Sequence, residues 1–389
     1  MSGTWMQRVA EGWLVYRLTH SPLMLGLLAF AGSAPALFFS PVAGVIADQV
    51  NRHRMVQVAQ ALAMAQACIL ALFTLQGWIT PNLLLFFALI MGTVRAFANP
   101  ARQSFLVELI PAEDLTNAVA LSAIFSNLAR IAGPALAGFI VAGYGEGFCF
   151  LANGLSFLLT ISCLQLMRFG EKERRNFRES QWELLLEGFQ YIRKSLPIRS
   201  LLFQFAAMNF AGAPYITLMP IFAGTVLGVG PTELGWLLTA SGTGALICSI
   251  GLASRNQPPN LLKLVMCASL VFGGALVSLA LSNSFYVSLS ILPLIGGGYI
   301  RILAGTQTLL QTLVSDELRG RVMSFYSLVF LGFQPFGSLL AGWISEYLGV
   351  AVTLGLGGAS CLGVSLLSMR SISRRKSWHT GPERELRRP

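Results

Sequence analysis

The feature that most constrains this chain is a series of eleven long apolar segments. About 20 apolar residues in a helix cross the roughly 30 Å of hydrocarbon in a bilayer, so each segment is long enough to span a membrane. Hydrophobic residues make up 54% of the chain and charged residues 11%, whereas about 25% charged residues is usual in soluble proteins. An ordinary soluble protein is therefore excluded. The predicted spans run near 22–47, 55–77, 81–103, 116–144, 147–168, 198–224, 233–254, 260–282, 284–307, 319–347 and 350–369.

The stretch ahead of these spans, Gly3 to Leu18, has helical character but is short. As a helix with about 1.5 Å rise per residue it would reach only about 24 Å. It also contains Arg8 and Glu11. We predict that it is part of a twelfth span whose first half is missing. We also expect it to be retained, because it lacks the basic start and the cleavage site of a signal peptide.

The chain has a net charge of +10, and its basic residues lie in alternate connections between the spans. Except for Arg17, the intervening connections contain no lysine or arginine. The positive-inside rule then predicts a multi-pass membrane protein with the central connection and the C-terminal tail in the cytoplasm. We expect this membrane to be the bacterial inner membrane. This arrangement explains the charge without a nucleic-acid partner. The basic connections and tail carry Arg52, Arg54, Lys172, Arg174, Arg175, Arg178, Arg193, Lys194, Arg255, Lys263, Arg319, Arg321 and Arg374 to Lys376.

The sequence lacks the patterns of several kinds of enzyme. No glycine-rich loop ends in Gly-Lys-Ser or Gly-Lys-Thr, so no loop for ATP phosphates is visible. The histidines His20, His53 and His379 are predicted to lie in loops or in the tail, away from any intramembrane metal site or catalytic triad. We therefore expect no enzyme activity, no cofactor and no metal. The cysteines are expected to be small buried hydrophobic residues, and they are Cys68, Cys149, Cys163, Cys248, Cys267 and Cys361.

A polar connection from Phe169 to Pro197 divides the chain into two halves. Within it, Ser180 and Glu183 form a capping box ahead of an amphipathic helix. That helix would lie along the membrane surface or pack under the helix bundle. The sequence predicts an N-terminal helix bundle over 1–168, a cytoplasmic linker over 169–197, a C-terminal helix bundle over 198–369 and a basic cytoplasmic tail over 370–389.

The two halves resemble each other at a constant offset of 204 positions. Both copies consist of a span, a cytoplasmic turn and a second span, so the repeat is parallel, about an axis along the membrane normal. This is the plan of a transporter with two helix bundles. The matched pairs are Gln103 with Gln307, Leu106 with Leu310, Glu113 with Glu317, Gly133 with Gly337, Gly138 with Gly342 and Gly145 with Gly349.

The connection after the second span reads GVIADQVNRHR, from Gly44 to Arg54. Gly44 permits close helix approach, and Asp48 can accept hydrogen bonds from helix ends or from arginine. The pattern resembles the best-known signature of the major facilitator superfamily, whose positions are occupied here by Gly44, Asp48, Arg52 and Arg54. The resemblance implies that these residues gate the cytoplasmic side during alternating access. The alternative is a polar turn that only obeys the positive-inside rule.

Arg95 lies among apolar residues in the fourth span. An arginine at such depth costs at least about 2.5 to 3.5 kcal/mol on insertion scales, which favours a functional role. Its position is similar to the fourth-span arginine motif of the superfamily, which implies substrate binding or proton transfer. The alternative is a side chain that snorkels to the membrane surface.

The fifth span contains NLARIAGPALAGF, in which Gly133, Pro134 and Gly138 form a thin face that a neighbouring helix can approach. This segment resembles, in part, the antiporter motif of the exporting branches of the superfamily. Arg130 stands where that motif has a longer glycine ladder. Helix packing unrelated to the direction of transport is the alternative.

Three stretches, Gly3 to Gly26, Asn99 to Pro111 and Ser315 to Gly332, look like the transmembrane secretion effector branch, which includes enterobactin-exporter-like and macrolide-efflux-like proteins. The resemblance implies an all-α membrane protein of major facilitator type, with two six-helix bundles and a parallel repeat, from which this chain departs in its truncated first helix. It also implies a monomeric transporter in contact with lipid that exports a siderophore or drug-like molecule by proton antiport. Lysophospholipid flipping and proton-coupled import are alternatives. A non-transporting scaffold would need an extramembrane region that the sequence hardly offers.

Polar residues inside the spans are candidates for the substrate or proton path. Glu11 is an acid near Arg8 and Arg95 that can take up and release a proton if its surroundings alternate, although a packing pair with Arg8 is the alternative. The candidates of this path are Glu11, Arg95, Arg130 and Arg301. Four further polar residues can line it or hydrogen-bond between packed helices, and they are Gln204, Asn209, Tyr215 and Gln307.

Overall fold

The computed structural model describes residues 1–111, 113–166, 189–253 and 261–373. Over these ranges the chain is helical apart from short connections, and they contain no β-strand. The predicted helix after Ser180 begins outside the described residues, as does the tail from 374 onward. The α-helices are α1 Ser2–Thr19, α2 Pro22–Gln49, α3 Arg52–Leu75, α4 Pro81–Leu109, α5 Leu115–Tyr144, α6 Glu146–Leu166, α7 Leu196–Ala207, α8 Tyr215–Ile221, α9 Pro231–Ala253, α10 Leu261–Ala280, α11 Phe285–Leu313, α12 Asp316–Leu348 and α13 Val350–Ser373.

Two segments of π-helix interrupt the span that contains α7 and α8. They cover Met208–Gly212 and Phe222–Val226, so Leu196 to Val226 forms one irregular membrane-spanning unit. A π-turn widens the helix by one residue and is frequent at functional sites. This irregularity was not predicted from the sequence, because the hydrophobic pattern there is that of an ordinary span.

The sequence supplies the start of several helices through capping side chains. Ser21 and Thr80 each accept a hydrogen bond from the third residue that follows, with a proline at the first helical position. Asn51 accepts one from the Arg54 amide and so begins α3 at Arg52. The prediction that His53 lies in a loop was therefore wrong, because this cap makes His53 the second residue of α3.

Eleven helical segments of the described chain are long and apolar enough to cross a membrane, which confirms the eleven predicted spans. Exposed aromatic residues lie in or beside the connections that lack lysine, among them Trp78, Tyr144, Tyr286 and Tyr347. Tryptophan and tyrosine favour the boundary between hydrocarbon and water. The chain is a multi-pass membrane protein.

The cysteines only partly follow the expectation from the sequence. Cys149 and Cys361 are buried, whereas Cys68, Cys163 and Cys267 are exposed on the surface of the helices. The expectation of burial was wrong for the exposed three, because an apolar residue of a span can face lipid as well as protein.

Helix α1 is not among the eleven spans, and it extends along only part of the length of the neighbouring helices α5 and α6. Its first residue, Met1, accepts a hydrogen bond from Ser126 at 3.3 Å, and Ser126 lies eleven residues into α5. Gly3 lies against Asn153, seven residues into α6. The helix therefore begins opposite the middle of α5 and α6 and runs to the end where Arg17 meets Glu146 at 2.9 Å. We call this end, with the connections near 20, 77 and 145, the neutral end of the bundle.

The described chain forms two compact units. The first comprises Met1–Phe177 with two segments of the second half, Thr217–Thr239 and Ser338–Tyr347. The second comprises Arg178–Ile216, Ala240–Gly337 and Leu348–Pro389. In the second unit, residues 189–194 are helical, Ile192 is buried, and the Phe189 ring lies 6.3 Å from that of Phe325 on α12.

Candidate functional site

A chain of polar side chains runs through the interior of the first unit around Glu11. The Gln7 amide donates to Glu11 Oε1 at 2.7 Å and lies 3.2 Å from Gln66 Oε1. Asn153 donates to the carbonyl oxygen of the same Gln7 side chain. Gln66 in turn donates to the Phe87 carbonyl at 3.3 Å. Gln7 therefore connects α1 to α3 and α6, and Gln66 extends the chain to α4.

The helices position these groups through simple spacing and small residues. Gln7 and Glu11 are four residues apart and so lie on one face of α1. Gln7, Gln66 and Asn153 are buried, and an unbonded amide there would cost several kcal/mol in a membrane. Gly154 lets α6 approach α3, since a Cβ at that position would lie 2.7 Å from the Cys68 sulfur. We call Gln7, Glu11, Gln66 and Asn153 the polar chain.

Sequence reasoning identified Glu11 but missed the three amides of the polar chain. Nothing in the local pattern singles out or connects positions 7, 66 and 153. The available signal was their chemistry, because amides within a span are usually hydrogen-bonded across helices.

Arginines surround the tryptophan of the first turn of α1. The guanidinium carbons of Arg8 and Arg130 lie 5.3 and 5.4 Å from the centre of the Trp5 ring, which is cation–π distance. Arg8 is also within electrostatic range of Glu11, and Arg95 is within range of Arg8 and Glu11. Three predicted site residues, Glu11, Arg95 and Arg130, are thus brought together with Arg8, which was predicted only as a partner of Glu11. We call Arg8, Arg95 and Arg130 the arginine group.

The arginine group is not neutralised by direct ion pairs within the described chain. The described ion pair of this part of the protein joins Arg17 to Glu146, whereas Glu11 accepts its hydrogen bond from Gln7. Arg130 Nε is buried without a hydrogen-bond partner among the described residues. Arg8 is exposed although its neighbours Gln7 and Val9 are buried. The group therefore has N–H donors left for hydrogen bonds to acceptor atoms of a ligand.

Arg301 is not part of this group. It lies on α11 in the second unit, where its side chain is exposed, as is that of Gln307. The other polar candidates of that unit are buried and bonded between helices. Gln204 donates to Ser269 at 2.7 Å, and the Tyr215 and Ser241 hydroxyls are 2.8 Å apart. Asn209, in the first π-helical segment, accepts from the Tyr299 hydroxyl at 2.9 Å. These contacts favour the packing alternative for those three residues.

The predicted gating motif surrounds the connection between α2 and α3. Gly44 lies in α2, and a Cβ built there meets no atom of the described residues within 4 Å. Arg52 and Arg54 lie in the first turn of α3, and Arg54 is exposed. The Asp48 side chain lies outside what the structure describes. Nearby, His53 bonds the Leu164 carbonyl at 3.0 Å and so joins α3 to the end of α6.

The small residues of α5 contact two different helices. A Cβ on Gly133 would lie 2.5 Å from Trp5 Cβ, so this glycine lets α1 approach α5. A Cβ on Gly138 would lie 2.8 Å from the Pro231 carbonyl at the start of α9. From the side of α9, a Cβ on Gly235 would lie 2.6 Å from the Pro134 carbonyl of α5. The two helices thus cross with only glycine between their backbones, near the neutral end.

A second crossing of this kind joins α2 to α12 in the first unit. A Cβ on Gly26 would lie 2.7 Å from the Ser338 carbonyl, and one on Gly342 would lie 2.6 Å from the Pro22 carbonyl. Glu346 accepts hydrogen bonds from the Ser21 hydroxyl at 2.7 Å and from the Leu23 amide at 3.1 Å. Because Gly342 is the repeat partner of Gly138, both halves use the equivalent glycine to contact a helix of the other half.

Three comparisons with known proteins agree with this architecture. The chain is 25% identical to the staphyloferrin A transporter of Staphylococcus aureus over 367 residues, covering 94% of this chain and 91% of the relative. It is 25% identical to the multidrug efflux pump Tap of Mycolicibacterium fortuitum over 365 residues, covering 90% and 88%. In fold it is similar to a bacterial homologue of the human lysosomal transporter Spinster in an inward-facing and occupied conformation, with a TM-score of 0.74 at 14% identity, covering 96% of this chain and 95% of that one.

The sequence profile of transmembrane secretion effectors matches residues 1–383, almost the whole chain. The relatives are transporters and not enzymes. The chain belongs to the transmembrane secretion effector family of the major facilitator superfamily.

Proposed function

We propose that this membrane protein exports a small siderophore-like or drug-like molecule in exchange for protons, by alternating access. The family and the relative named staphyloferrin A transporter support transport of a small molecule, and the multidrug efflux pump Tap supports export. The observation that carries proton coupling is the position of Glu11, bonded to Gln7 and within range of Arg8 and Arg95.

Glu11 is placed where protonation changes the charge around a binding site. When ionised, it offsets part of the positive charge of the arginine group. When protonated, it keeps its hydrogen bond to a neutral amide, while the positive charge of Arg8 and Arg95 becomes available to another anion. The charge of Glu11 and the binding of a ligand to the arginine group are therefore linked through electrostatics, and the vesicle assay shows whether the proton moves against the ligand, as in exchange, or with it.

Alternating access requires contacts that open and re-form. We propose that the two glycine crossings, Gly138 with Gly235 and Gly26 with Gly342, close the neutral end of the first unit. Gly44, Asp48, Arg52 and Arg54 would gate the opposite end. The charge pattern supports an orientation in the bacterial inner membrane with the neutral end toward the periplasm and the tail in the cytoplasm.

The test uses inverted membrane vesicles that hold an acid interior, with and without the protein. Addition of a transported molecule to the outside should release protons, seen as recovery of quenched acridine fluorescence, and a protonophore should abolish accumulation. Carboxyfluorescein, ethidium and a catecholate siderophore serve as probes. Accumulation of a probe that persists after collapse of the proton gradient, in vesicles without ATP, would contradict proton antiport.

A further inference from the structure

We infer that the transported molecule is an organic anion, held through a carboxylate by Arg8 and Arg130 beside Trp5. This inference rests on the proposed transport function and names its substrate class. The arginine group has three positive charges, and Glu11 is the described acid within its electrostatic range. With Glu11 ionised, the formal excess is +2.

Such an excess is expensive within a membrane unless it is compensated. Each arginine at the centre of a span costs about 2.5 to 3.5 kcal/mol on insertion scales, and intramembrane charges normally pair with opposite charges or carbonyl groups. Arg130 Nε is buried without a hydrogen-bond partner in the described chain, and Arg8 is exposed. The guanidinium groups therefore have donors left for an external acceptor.

Trp5 gives this site its geometry. Gly133 lets the Trp5 backbone pack closely on α5. The guanidinium groups of Arg8 on α1 and Arg130 on α5 then lie at similar distances from the Trp5 ring. Cation–π contact fixes the arginines without using their N–H donors, which are left for a ligand. Two guanidinium groups held in this way match a carboxylate, which accepts bidentate hydrogen bonds.

The same geometry disfavours a cationic cargo at this position. A free tryptophan face attracts cations, but two guanidinium groups already lie against this ring, so another cation would meet like charge. The anionic headgroup of a lipid has the same oxyanion chemistry as a carboxylate cargo. Because Arg8 lies on the interior helix α1, between residues buried against protein, we assign the site to a soluble carboxylate that enters the bundle.

The test is equilibrium binding to the full chain in a neutral detergent, without any gradient, followed by fluorescence anisotropy. Carboxyfluorescein is the anionic probe and rhodamine 123, which has a similar ring system, the cationic one. We expect at least tenfold tighter binding of carboxyfluorescein, displaced by citrate. Arg8→Gln and Arg130→Gln should each weaken it about tenfold or more, the loss expected for a hydrogen bond between charged groups. Arg199→Gln, an exposed arginine in the second unit, is the matched control and should bind as wild type.

Size-exclusion chromatography shows whether each arginine variant is folded. If one is not, the comparison of carboxyfluorescein with rhodamine 123 on the wild-type protein still tests the inference. Equal or tighter binding of rhodamine 123 would overturn the inference. So would unchanged carboxyfluorescein binding in folded Arg130→Gln, or displacement by short-chain phosphatidylglycerol but not by citrate, which would assign the site to lipid. Because no gradient is present, anion binding without proton-coupled flux would contradict only the proposed function. Coupled flux of cations without anion binding would contradict only this inference.

Discussion

The Gln7 side chain donates a hydrogen bond of 2.7 Å to Glu11, one turn away on the same helix. Through Gln7 the carboxyl group is connected to Gln66 on α3 and Asn153 on α6. The acid that we propose to carry protons is therefore held by neutral amides on one side and lies within electrostatic range of arginines on the other. The amides and the acid can therefore be tested separately.

Removal of an amide from the polar chain should reduce stability. Asn153→Ala leaves Gln7 Oε1 without its donor inside the bundle, so we expect the free energy of unfolding to fall by about 1 to 3 kcal/mol. Thermal unfolding of the detergent-solubilised protein measures this loss. Asn82→Ala, at an exposed position in the first turn of α4, is the matched control and should leave the midpoint within error. An unchanged midpoint in Asn153→Ala would show that the chain of bonds is not structural.

A methyl group at the crossing of α5 and α9 should prevent close packing. In Gly138→Ala the new Cβ would lie 2.8 Å from the Pro231 carbonyl, so one backbone must shift, at a cost of about 1 to 3 kcal/mol. We expect a lower unfolding midpoint and slower transport. Gly143→Ala changes the same helix where a Cβ meets nothing within 4 Å, and it should behave as wild type. Equal behaviour of the two variants would remove the crossing as a packing constraint.

Asp48 is the acidic residue of the proposed cytoplasmic gate. Asp48→Asn removes one charged partner of the gating motif but leaves the apolar spans intact, so we expect impaired turnover with normal membrane insertion. Transport by inverted vesicles, normalised to the amount of protein in the membrane, measures this effect. Asp114→Asn changes another acid, exposed before α5, and serves as the control. Normal turnover in Asp48→Asn would contradict the gate and favour the alternative that the motif is only a polar turn.

The spans could be predicted from the sequence because hydropathy is a local property. Eleven apolar segments, the short α1 and the proline-initiated starts of α2 and α4 all follow from residues that are close together in the chain. The π-helical segment around Asn209 could not be predicted, since its apolar composition does not differ from that of a regular helix. His53 was misplaced because the single cap at Asn51 decides where α3 begins.

The site was only half predictable, because it depends on contacts between distant positions. Glu11, Arg95 and Arg130 stand out as charges in apolar spans, but nothing local shows that Arg130 shares the Trp5 ring with Arg8. The repeat relates Gly138 to Gly342, yet their contacts with Gly235 and Gly26 follow only from tertiary packing. Polar candidates such as Gln204 and Tyr215 proved to be bonded between helices in the second unit.

The central claim is that protons drive transport through Glu11, and the direct test is Glu11→Gln in proteoliposomes with an imposed pH gradient. The substitution keeps the shape of the side chain and removes its titration. Glu317→Gln, at an exposed position in the first turn of α12, is the control for the loss of one carboxylate. The measurement is carboxyfluorescein flux with the gradient and in downhill exchange without it. We predict that Glu11→Gln keeps downhill exchange but no longer responds to the gradient, whereas a gradient response equal to that of wild type would contradict the claim.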